Sequence, residues 1–181
     1  MEDRFVEESV RTRLILSGIN ELEEHGLADF SLRRAALAAQ VSCAAPYRHF
    51  KDKDEYISEI IKYVNSKWEL LSREIEKIFS HDPKKLATEM CMAALRFRIA
   101  NRNFRSVFTL APRLDSENSL DSAIISSVGA YADSVGATAA ERELKIYTAR
   151  ALIAGSLMLV GKNDGEQILD FAREKLTLEF S

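Results

Sequence analysis

The residues best suited to binding chemistry lie at positions 42–50, where the sequence reads SCAAPYRHF. Tyr47, Arg48 and His49 are consecutive and can all donate hydrogen bonds. Such groups bind phosphate oxygens or base edges, and the small residues Cys43, Ala44 and Ala45 before them would allow a close approach. The pattern therefore indicates recognition of a nucleic acid.

The charge distribution favours the same interpretation. The formal net charge of −3 argues against a nucleic-acid partner, but the distribution of charge matters more than the total. Positions 31–53 carry a net charge of +4, which leaves −7 for the rest of the chain. The five cations of this basic segment are Arg33, Arg34, Arg48, Lys51 and Lys53, and its one anion is Asp52.

Composition limits the class of protein. The chain has 181 residues, of which 46% are hydrophobic and 29% charged, with only 3 prolines and 7 glycines, as is typical of a mostly helical globular protein of one or two domains. Its N-terminus lacks the apolar core of a signal peptide, and its longest apolar run is about half of the ~20 residues that span a bilayer. We expect a cytoplasmic protein with no membrane partner.

Catalytic and metal-binding patterns are missing from the sequence. The two cysteines, Cys43 and Cys91, form no CxxC pair, and His25, His49 and His81 are far apart in the sequence. There is also no glycine-rich phosphate loop and no nucleophile motif. We therefore expect a protein that is not an enzyme and that uses no metal and no cofactor.

Helical periodicity dominates the chain, and it predicts an all-α fold of about nine helices. An apolar stripe from Val10 to Leu22 marks the first helix, which Gly26 ends. Ser31 is placed to cap a second helix running to about Ala39, and Ser42 to cap a third after a very short turn.

The later helices also have recognisable start signals. Asp52 and Glu55 have the form of a capping box and open a long helix that runs to Phe79. Further starts are indicated at Asp82-Pro83, at about Leu120, at the TAAE box of residues 138–141, and more loosely at residues 164–167. An amphipathic piece is expected at residues 103–110.

Two short helices joined by a tight turn, with a net positive charge, have the geometry that places one helix in the major groove of DNA. The stretch FSLRRAALAAQVSCAAPYRHFKDKDEYISEII resembles the DNA-binding signature of the TetR (tetracycline-repressor) family of bacterial transcription regulators. The similarity covers about residues 10–62. Gln40 stands where that family commonly has glycine, and Ala35 where it has a larger aliphatic residue.

The resemblance implies roles for individual residues. Four of them match positions that touch the phosphate backbone, namely Ser31, Arg33, Tyr47 and Lys53. Five match the side of the recognition helix that faces the groove, namely Cys43, Ala44, Ala45, Arg48 and His49. Phe50 matches an aromatic residue that fills the core beneath that helix. The resemblance further implies a helix-turn-helix domain at residues 1–53 and a helical effector-binding and dimerisation domain at residues 54–181.

The penultimate helix independently indicates a homodimer, because residues 151–160 are apolar on nearly every side. One face can pack on the protein's own core, and the other needs a partner. The residues that we predict to mediate dimerisation are Leu152, Ser156, Leu157, Leu159, Val160 and Phe171. A twofold dimer also suits a palindromic DNA site.

A small-molecule effector is implied by the resemblance, although the sequence does not identify it. The aromatic residues that could line its cavity are Trp68, Phe97, Phe104, Phe108, Tyr131 and Tyr147, but aromatics at helical spacing belong more often to the core. Arg98 could meet an anionic effector or simply face solvent.

Two functions remain open at the level of sequence. The first is a dimeric, ligand-responsive repressor that binds double-stranded DNA at a palindromic operator. The alternative is a helical interaction or ligand-sequestering protein that has lost specific DNA binding, for which the net −7 outside the basic segment leaves room.

Overall fold

Eight α-helices make up the described part of the chain, and no strand occurs in it. The computed structural model describes residues 9–104, 106–107, 119–161 and 165–181. The helices are α1 (Val10–His25), α2 (Leu32–Ala38), α3 (Pro46–His49), α4 (Lys53–Phe79), α5 (Pro83–Ala100), α6 (Ser119–Ser134), α7 (Ala139–Leu159) and α8 (Gly165–Glu179), with a 3-10 turn at Arg102–Phe104. The all-α prediction is confirmed, and the count is close to the predicted nine.

The chain divides into two compact units. The first contains residues 1–64 and 103–116, and the second contains residues 65–102 and 117–181. In the first unit α1 packs on α2, and in the second α5 packs on α6, α7 and α8. The boundary falls inside α4, so the predicted division at residue 53 into a DNA-binding and an effector domain stays a prediction.

Most of the predicted helix caps are present. The Ser31 hydroxyl accepts from the Arg34 amide at 3.3 Å, and the Asp82 carboxylate accepts from the Lys85 amide at 3.0 Å. Thr138 and Glu141 form a complete capping box, in which each side chain accepts from the other residue's backbone N–H. These caps satisfy N–H groups that a helix start leaves unpaired.

The cap of α4 differs slightly from its prediction. Asp52 accepts from the Glu55 amide at 2.9 Å, as expected for a capping box. The Glu55 carboxylate accepts from the amide of Lys51 instead of that of Asp52. It therefore binds the chain one residue earlier than a capping box would require.

The start of the third helix was predicted wrongly. Ser42 does not cap it, and α3 begins only at Pro46. Because proline has no N–H, Pro46 cannot donate to the Ser42 carbonyl, and that carbonyl accepts from the Ala45 amide at 2.8 Å instead. A tight turn therefore replaces the expected first turn of helix.

Some predictions fall outside the described residues. They concern the start signal at Asp164 and the end of the amphipathic piece at residues 108–110, including Phe108. Within the described residues of that piece, Phe104 and Val107 are buried.

Each unit has its own apolar core. In the first unit, Leu14, Ile19 and Leu22 of α1 are fully buried, as are Ile60 and Val64 of α4. Close packing in this unit depends on Gly18, because a Cβ atom there would lie 2.7 Å from Ile60 Cδ1 and 3.0 Å from the Tyr56 hydroxyl. The core of the second unit includes Trp68, Met90, Cys91, Met92, Leu95, Leu120, Val128 and Phe180.

Candidate nucleic-acid interface

Aromatic residues fix the end of α3 in the core of the first unit. Phe50, which directly follows α3, is 2% exposed and stacks on Tyr56 with 4.2 Å between ring centroids and 8° between planes. Phe30 meets the same Tyr56 ring edge-on at 5.5 Å. The Tyr56 hydroxyl donates to the Leu14 carbonyl of α1, and burial raises its pKa to about 12. These contacts hold a four-residue helix that could not be stable alone.

A buried carboxylate positions α2. Glu21 of α1 is 6% exposed and accepts from the Ser31 amide at 3.0 Å and from Arg34 Nε at 2.9 Å. Burial by itself raises the pKa of Glu21, but the hydrogen bonds from Arg34 and Ser31 outweigh it, so the pKa lies below its usual value. His25 Nδ1 lies 3.4 Å from the same carboxylate. The pairing joins the start of α2 to α1.

The turn between α2 and α3 has a backbone conformation that favours glycine at position 40, where this chain has glutamine. Gln40 has φ = 56°, in the left-handed region that favours glycine. The Gln40 amide donates to the Leu37 carbonyl and the Val41 amide to the Ala36 carbonyl, both at 3.0 Å, which ends α2 in a Schellman motif. Gln40 keeps this geometry despite its side chain.

The predicted groove-facing residues have unequal exposure. Cys43, Ala44, Arg48 and His49 are exposed, whereas Ala45 is only 8% exposed and packs against its own unit. Tyr47 is 67% exposed, so its ring projects into solvent. Contacts of these residues with DNA stay predictions.

Some of the predicted phosphate-binding residues use their side chains in contacts within the protein, and others do not. Lys53 Nζ donates to the Leu27 carbonyl at 2.7 Å and lies 5.9 Å from the centre of the Phe30 ring. The Ser31 hydroxyl is occupied as the α2 cap. Arg33 is exposed and forms no ion pair within the part of the chain that the structure describes. Of the phosphate-binding set, Arg33 and Tyr47 are therefore the most available.

Fewer cations of the basic segment are available to bind a partner than the sequence suggests. Arg34 belongs to the Glu21 pair and also donates to the Asp29 carbonyl. Arg34 is exposed but paired with Glu21, and Lys53 donates to the Leu27 carbonyl. The exposed cations of the segment that have no side-chain contact with another described residue are Arg33, Arg48 and Lys51. They come from α2, α3 and the turn after α3, which is where a helix-turn-helix meets DNA.

The aromatic residues predicted for an effector cavity do not form one cluster in the second unit. Trp68 is fully buried with its ring centroid 5.6 Å from that of Phe97, and Tyr131 packs separately on Phe180 at 5.1 Å. Tyr147 is 69% exposed. Phe104 is buried in the first unit, and Phe108 lies outside the described residues. Effector binding by these residues stays a prediction.

Arg98 is not on a solvated face. Burial lowers its pKa, and its guanidinium lies 3.7 Å from the Asp121 carboxylate. Arg150 binds the same carboxylate at 3.1 Å. This cluster joins α5, α6 and α7.

The predicted dimerisation residues are only partly on the surface. Leu159 and Phe171 are 68% and 54% exposed. Leu152, Leu157 and Val160 are half-buried, and Ser156 is 6% exposed. Ser156 therefore packs inside the second unit of the chain.

A more regular exposed stripe lies on α7, and the sequence reasoning missed it. We call it the α7 stripe, and its members are Leu144, Tyr147, Ala151, Ala154 and Met158, all of them exposed. The spacings of three and four residues put them on one face of the helix. This spacing is visible in the sequence, but it begins before the uniformly apolar segment on which our prediction rested. The neighbouring α8 adds Phe171 and Leu178, which are 54% and 57% exposed.

The two cysteines and the side chains that can bind metal ions are the remaining candidate groups. Cys43 is exposed, whereas Cys91 belongs to the core, and its burial raises the pKa of its thiol to about 12. No three or more His, Cys, Asp or Glu side chains are grouped to hold a metal ion anywhere in the described ranges. A search of the same ranges finds no helix with the length and hydropathy of a membrane span.

The architecture is therefore that of a helical protein whose first unit presents a helix-turn-helix and whose second unit is a bundle. Comparison of the sequence with family models finds no match. Two curated relatives, from Escherichia coli strains K12 and O157:H7, are each described as "Probable acrEF/envCD operon repressor" and are 29% identical over 99 residues. That match covers 54% of this chain and 45% of each relative, so the chain spans about half the length of the curated relatives it matches.

Solved structures extend the similarity to nearly the whole chain. A TetR transcription regulator from Haloarcula marismortui superimposes with a TM-score of 0.66 at 17% identity, covering 94% of this chain and 95% of that one. NalD of Pseudomonas aeruginosa, the secondary repressor of the MexAB-OprM multidrug efflux pump, gives 0.63 at 20% identity, with coverages of 91% and 96%. The multidrug binding protein EbrR, complexed with ethidium, gives 0.59 at 18%, with coverages of 96% and 99%.

These structures confirm the resemblance inferred from the sequence. The chain has the TetR fold, and the proteins that it resembles include a transcription regulator and repressors.

Proposed function

We propose that this protein is a DNA-binding transcriptional regulator, a ligand-responsive repressor that binds a palindromic operator as a homodimer. The observation that carries the proposal is the presentation of α3. Tyr47, Arg48 and His49 are exposed on a short helix whose following residue, Phe50, is buried and stacked. A rigid support beneath exposed donors is what direct reading of base edges requires.

The proposed contacts fall into two groups. Arg48 and His49 read base edges, and the small Cys43 and Ala44 allow the turn to approach the groove. Arg33 and Tyr47 contact phosphates and set the position of the helix, because phosphate contacts position a protein while base contacts specify the site. Ser31 and Lys53 contribute mainly by holding the module in shape, since both are engaged within it.

Homodimerisation through α7 and α8 follows from the exposed apolar surface. The α7 stripe, with Phe171 and Leu178 of α8, leaves several large side chains in water, including Met158 at 87% exposure. Several large apolar side chains left exposed along one helix face are typical of an interaction site. Ala151 and Ala154 lie within the stripe and are small enough for two helices to approach closely. A second copy is the natural occupant, because a twofold dimer matches a palindromic site.

A small molecule would act by favouring one arrangement of the dimer over another. Such an effect requires unequal affinity of the ligand for the two states, and a coupling of about 1–3 kcal/mol would be typical. The relatives support this part of the proposal, because EbrR is described as complexed with ethidium and NalD as a repressor of a multidrug efflux pump.

The first experiment is selection of bound sequences from a random DNA pool, repeated with candidate ligands. The selected duplex is then used in titrations at several salt concentrations. Arg48→Ala should weaken the selected site about tenfold or more relative to other DNA, because a bidentate base contact contributes about 1–3 kcal/mol of discrimination. Arg33→Ala should weaken all duplexes similarly and reduce the salt slope by about one.

Lys62→Ala is a matched control, because Lys62 is an exposed cation of the same unit that lies on α4, away from the helix-turn-helix. It should leave the selected-site affinity unchanged. If the purified protein bound no duplex even at low salt, the repressor proposal would be wrong, and the helical interaction or ligand-sequestering function would take its place.

A further inference from the structure

The turn between α2 and α3 holds one residue in an unfavourable backbone conformation. Gln40 has φ = 56°, and of the described residues with positive φ it alone is not glycine. A β-carbon is crowded by the neighbouring carbonyl in this conformation, whereas glycine has no β-carbon. Glutamine at position 40 therefore has a cost in stability that glycine would avoid.

No contact in the described part of the protein offsets that cost. The Gln40 amide donates to the Leu37 carbonyl and the Val41 amide to the Ala36 carbonyl, but these bonds use backbone atoms that glycine also has. The Gln40 side chain is exposed, and its amide group has no hydrogen-bond partner among the described residues. Backbone strain is concentrated at binding sites, so the compensation is to be sought in a binding partner.

The position of Gln40 in the fold indicates which partner. Ala39 and Ala45 at the two ends of the turn are 6% and 8% exposed, whereas Cys43 and Ala44 between them are exposed. Gln40 thus shares an exposed turn with the two small residues that are predicted to approach the groove. The Cα atoms of Gln40 and Cys43 are at most about 11 Å apart, because three extended residues span no more. The major groove is only about 12 Å wide, so Gln40 would lie beside one of its phosphate walls.

We propose that Gln40 is a further DNA-contacting residue, whose side-chain amide donates a hydrogen bond to a backbone phosphate. Glutamine amides are among the groups that bind phosphate oxygens, and a hydrogen bond to a charged acceptor is stronger than one to a neutral acceptor. In the complex this bond offsets the cost of the positive φ. The inference rests on the proposed DNA-binding function and adds to it a neutral contact that a count of cations does not reveal.

The test places a charge at position 40 and measures binding to the selected duplex and to an unrelated duplex of the same length. Gln40→Glu and Gln40→Lys keep a β-carbon, so the backbone cost is the same as for glutamine. Gln40→Glu should weaken both duplexes about tenfold at low salt, because its carboxylate is repelled by phosphate. Gln40→Lys should strengthen both and steepen the salt dependence by about one.

Two uncharged variants separate the side chain from the backbone. Gln40→Ala removes the amide and keeps the β-carbon, and Gln40→Gly removes both. Each should weaken both duplexes about fivefold with an unchanged salt slope, because the lost group is neutral and displaces no counterion. Gln40→Gly should do so although its melting temperature rises. A residue with a purely structural role would give the opposite result for glycine, namely unchanged or tighter DNA binding in the more stable protein.

Asn20 provides the matched control. It is an exposed neutral amide in the same unit, on α1, and it lies three and four residues before the exposed Glu23 and Glu24, so it shares their acidic face. Asn20→Glu and Asn20→Lys introduce the same charges as the variants at position 40 and should change the affinity for either duplex less than twofold. Circular dichroism establishes that every variant is folded.

The outcomes distinguish this inference from the proposed function. If the unaltered protein bound no duplex, both would be wrong. If it bound the selected duplex but Gln40→Glu and Gln40→Lys bound no differently from the Asn20 controls, only the assignment of Gln40 would be wrong. A loss in Gln40→Ala that is confined to the selected duplex would also overturn the assignment, because it would indicate a contact with a base edge and not with a phosphate.

Discussion

The two units of the chain are stabilised in different ways. In the first unit, short helices depend on polar contacts between residues distant in sequence, such as Glu21 with Arg34 and Tyr56 with the Leu14 carbonyl. In the second, long helices bury apolar faces against each other, and ion pairs such as Glu89 with Arg173 lie partly in solvent. The comparison shows that a short recognition helix needs specific polar anchors, whereas helices of 15 to 21 residues such as α6, α7 and α8 rely on packing.

Replacing Glu21 of the first unit and Glu89 of the second unit with glutamine should show the largest difference in stability between the units. Glu21→Gln should lower the free energy of unfolding by about 2 kcal/mol, because Glu21 is buried and anchors both Ser31 and Arg34. Glu89→Gln should cost less than about 1 kcal/mol, because water screens a pair whose side chains are 28% and 38% exposed. Urea denaturation measures both, and equal losses would contradict the comparison.

Two glycines test how tightly each unit is packed. Gly18→Ala should destabilise the protein by about 1–2 kcal/mol, because its Cβ would overlap Ile60 and Tyr56 in a packed core. Gly129→Ala should be neutral or stabilising by up to about 1 kcal/mol, since its Cβ would meet the Arg142 guanidinium, which can move aside, and alanine favours helices. The melting temperature of Gly18→Ala should therefore fall, whereas that of Gly129→Ala should rise or stay the same.

Two of the residues with positive φ, Gln40 in the first unit and Gly136 in the second, give a smaller, reciprocal test. Gln40→Gly should stabilise the first unit by about 1 kcal/mol, because glycine adopts φ = 56° without the steric cost that glutamine pays. Gly136→Gln should destabilise the second unit by a similar amount, because Gly136 has φ = 70°. Thermal denaturation measures both variants. A loss of stability in Gln40→Gly would show that the glutamine side chain makes a compensating contact.

Acid should affect the first unit through Glu21, and this is the smallest expected effect. The pKa of Glu21 is lower in the folded protein than in the unfolded chain, so the unfolded state binds the proton more tightly. The resulting stabilisation is complete above the ordinary glutamate pKa of 4.5 and is lost as the pH falls through the lower, folded value. The free energy of unfolding, measured by denaturation at a series of pH values, should therefore fall less on acidification in Glu21→Gln than in the unaltered protein.

The sequence predicted most of the helices because their signals are local. Caps at Ser31, Asp82 and Thr138 and the stop at Gly26 involve residues within a few positions of each other, so they can be recognised without knowing the fold. The start of α3 was missed because the effect of Pro46 on the Ser42 carbonyl was underestimated. This error was avoidable, since the missing N–H of proline is itself a local property.

The candidate site was less predictable because exposure depends on neighbours that are distant in sequence. Arg34 and Lys53 read as members of one basic segment, yet both are engaged by groups 13 or more positions away. Ala45 and Ser156 were assigned to surfaces and are buried, whereas Tyr147 was assigned to a cavity and is exposed. Side-chain type alone does not determine which face of a helix is covered by the rest of the protein.

The sequence by itself determined the helical class, the position of the helix-turn-helix and the residue types that it offers to DNA, because helical periodicity and capping are properties of short segments. Only the tertiary structure decided which exposed cations are engaged by other groups of the protein, which face of α7 is left uncovered, and that Tyr131 packs on Phe180. Those features depend on which helices pack together, and such contacts join residues that the linear sequence keeps far apart.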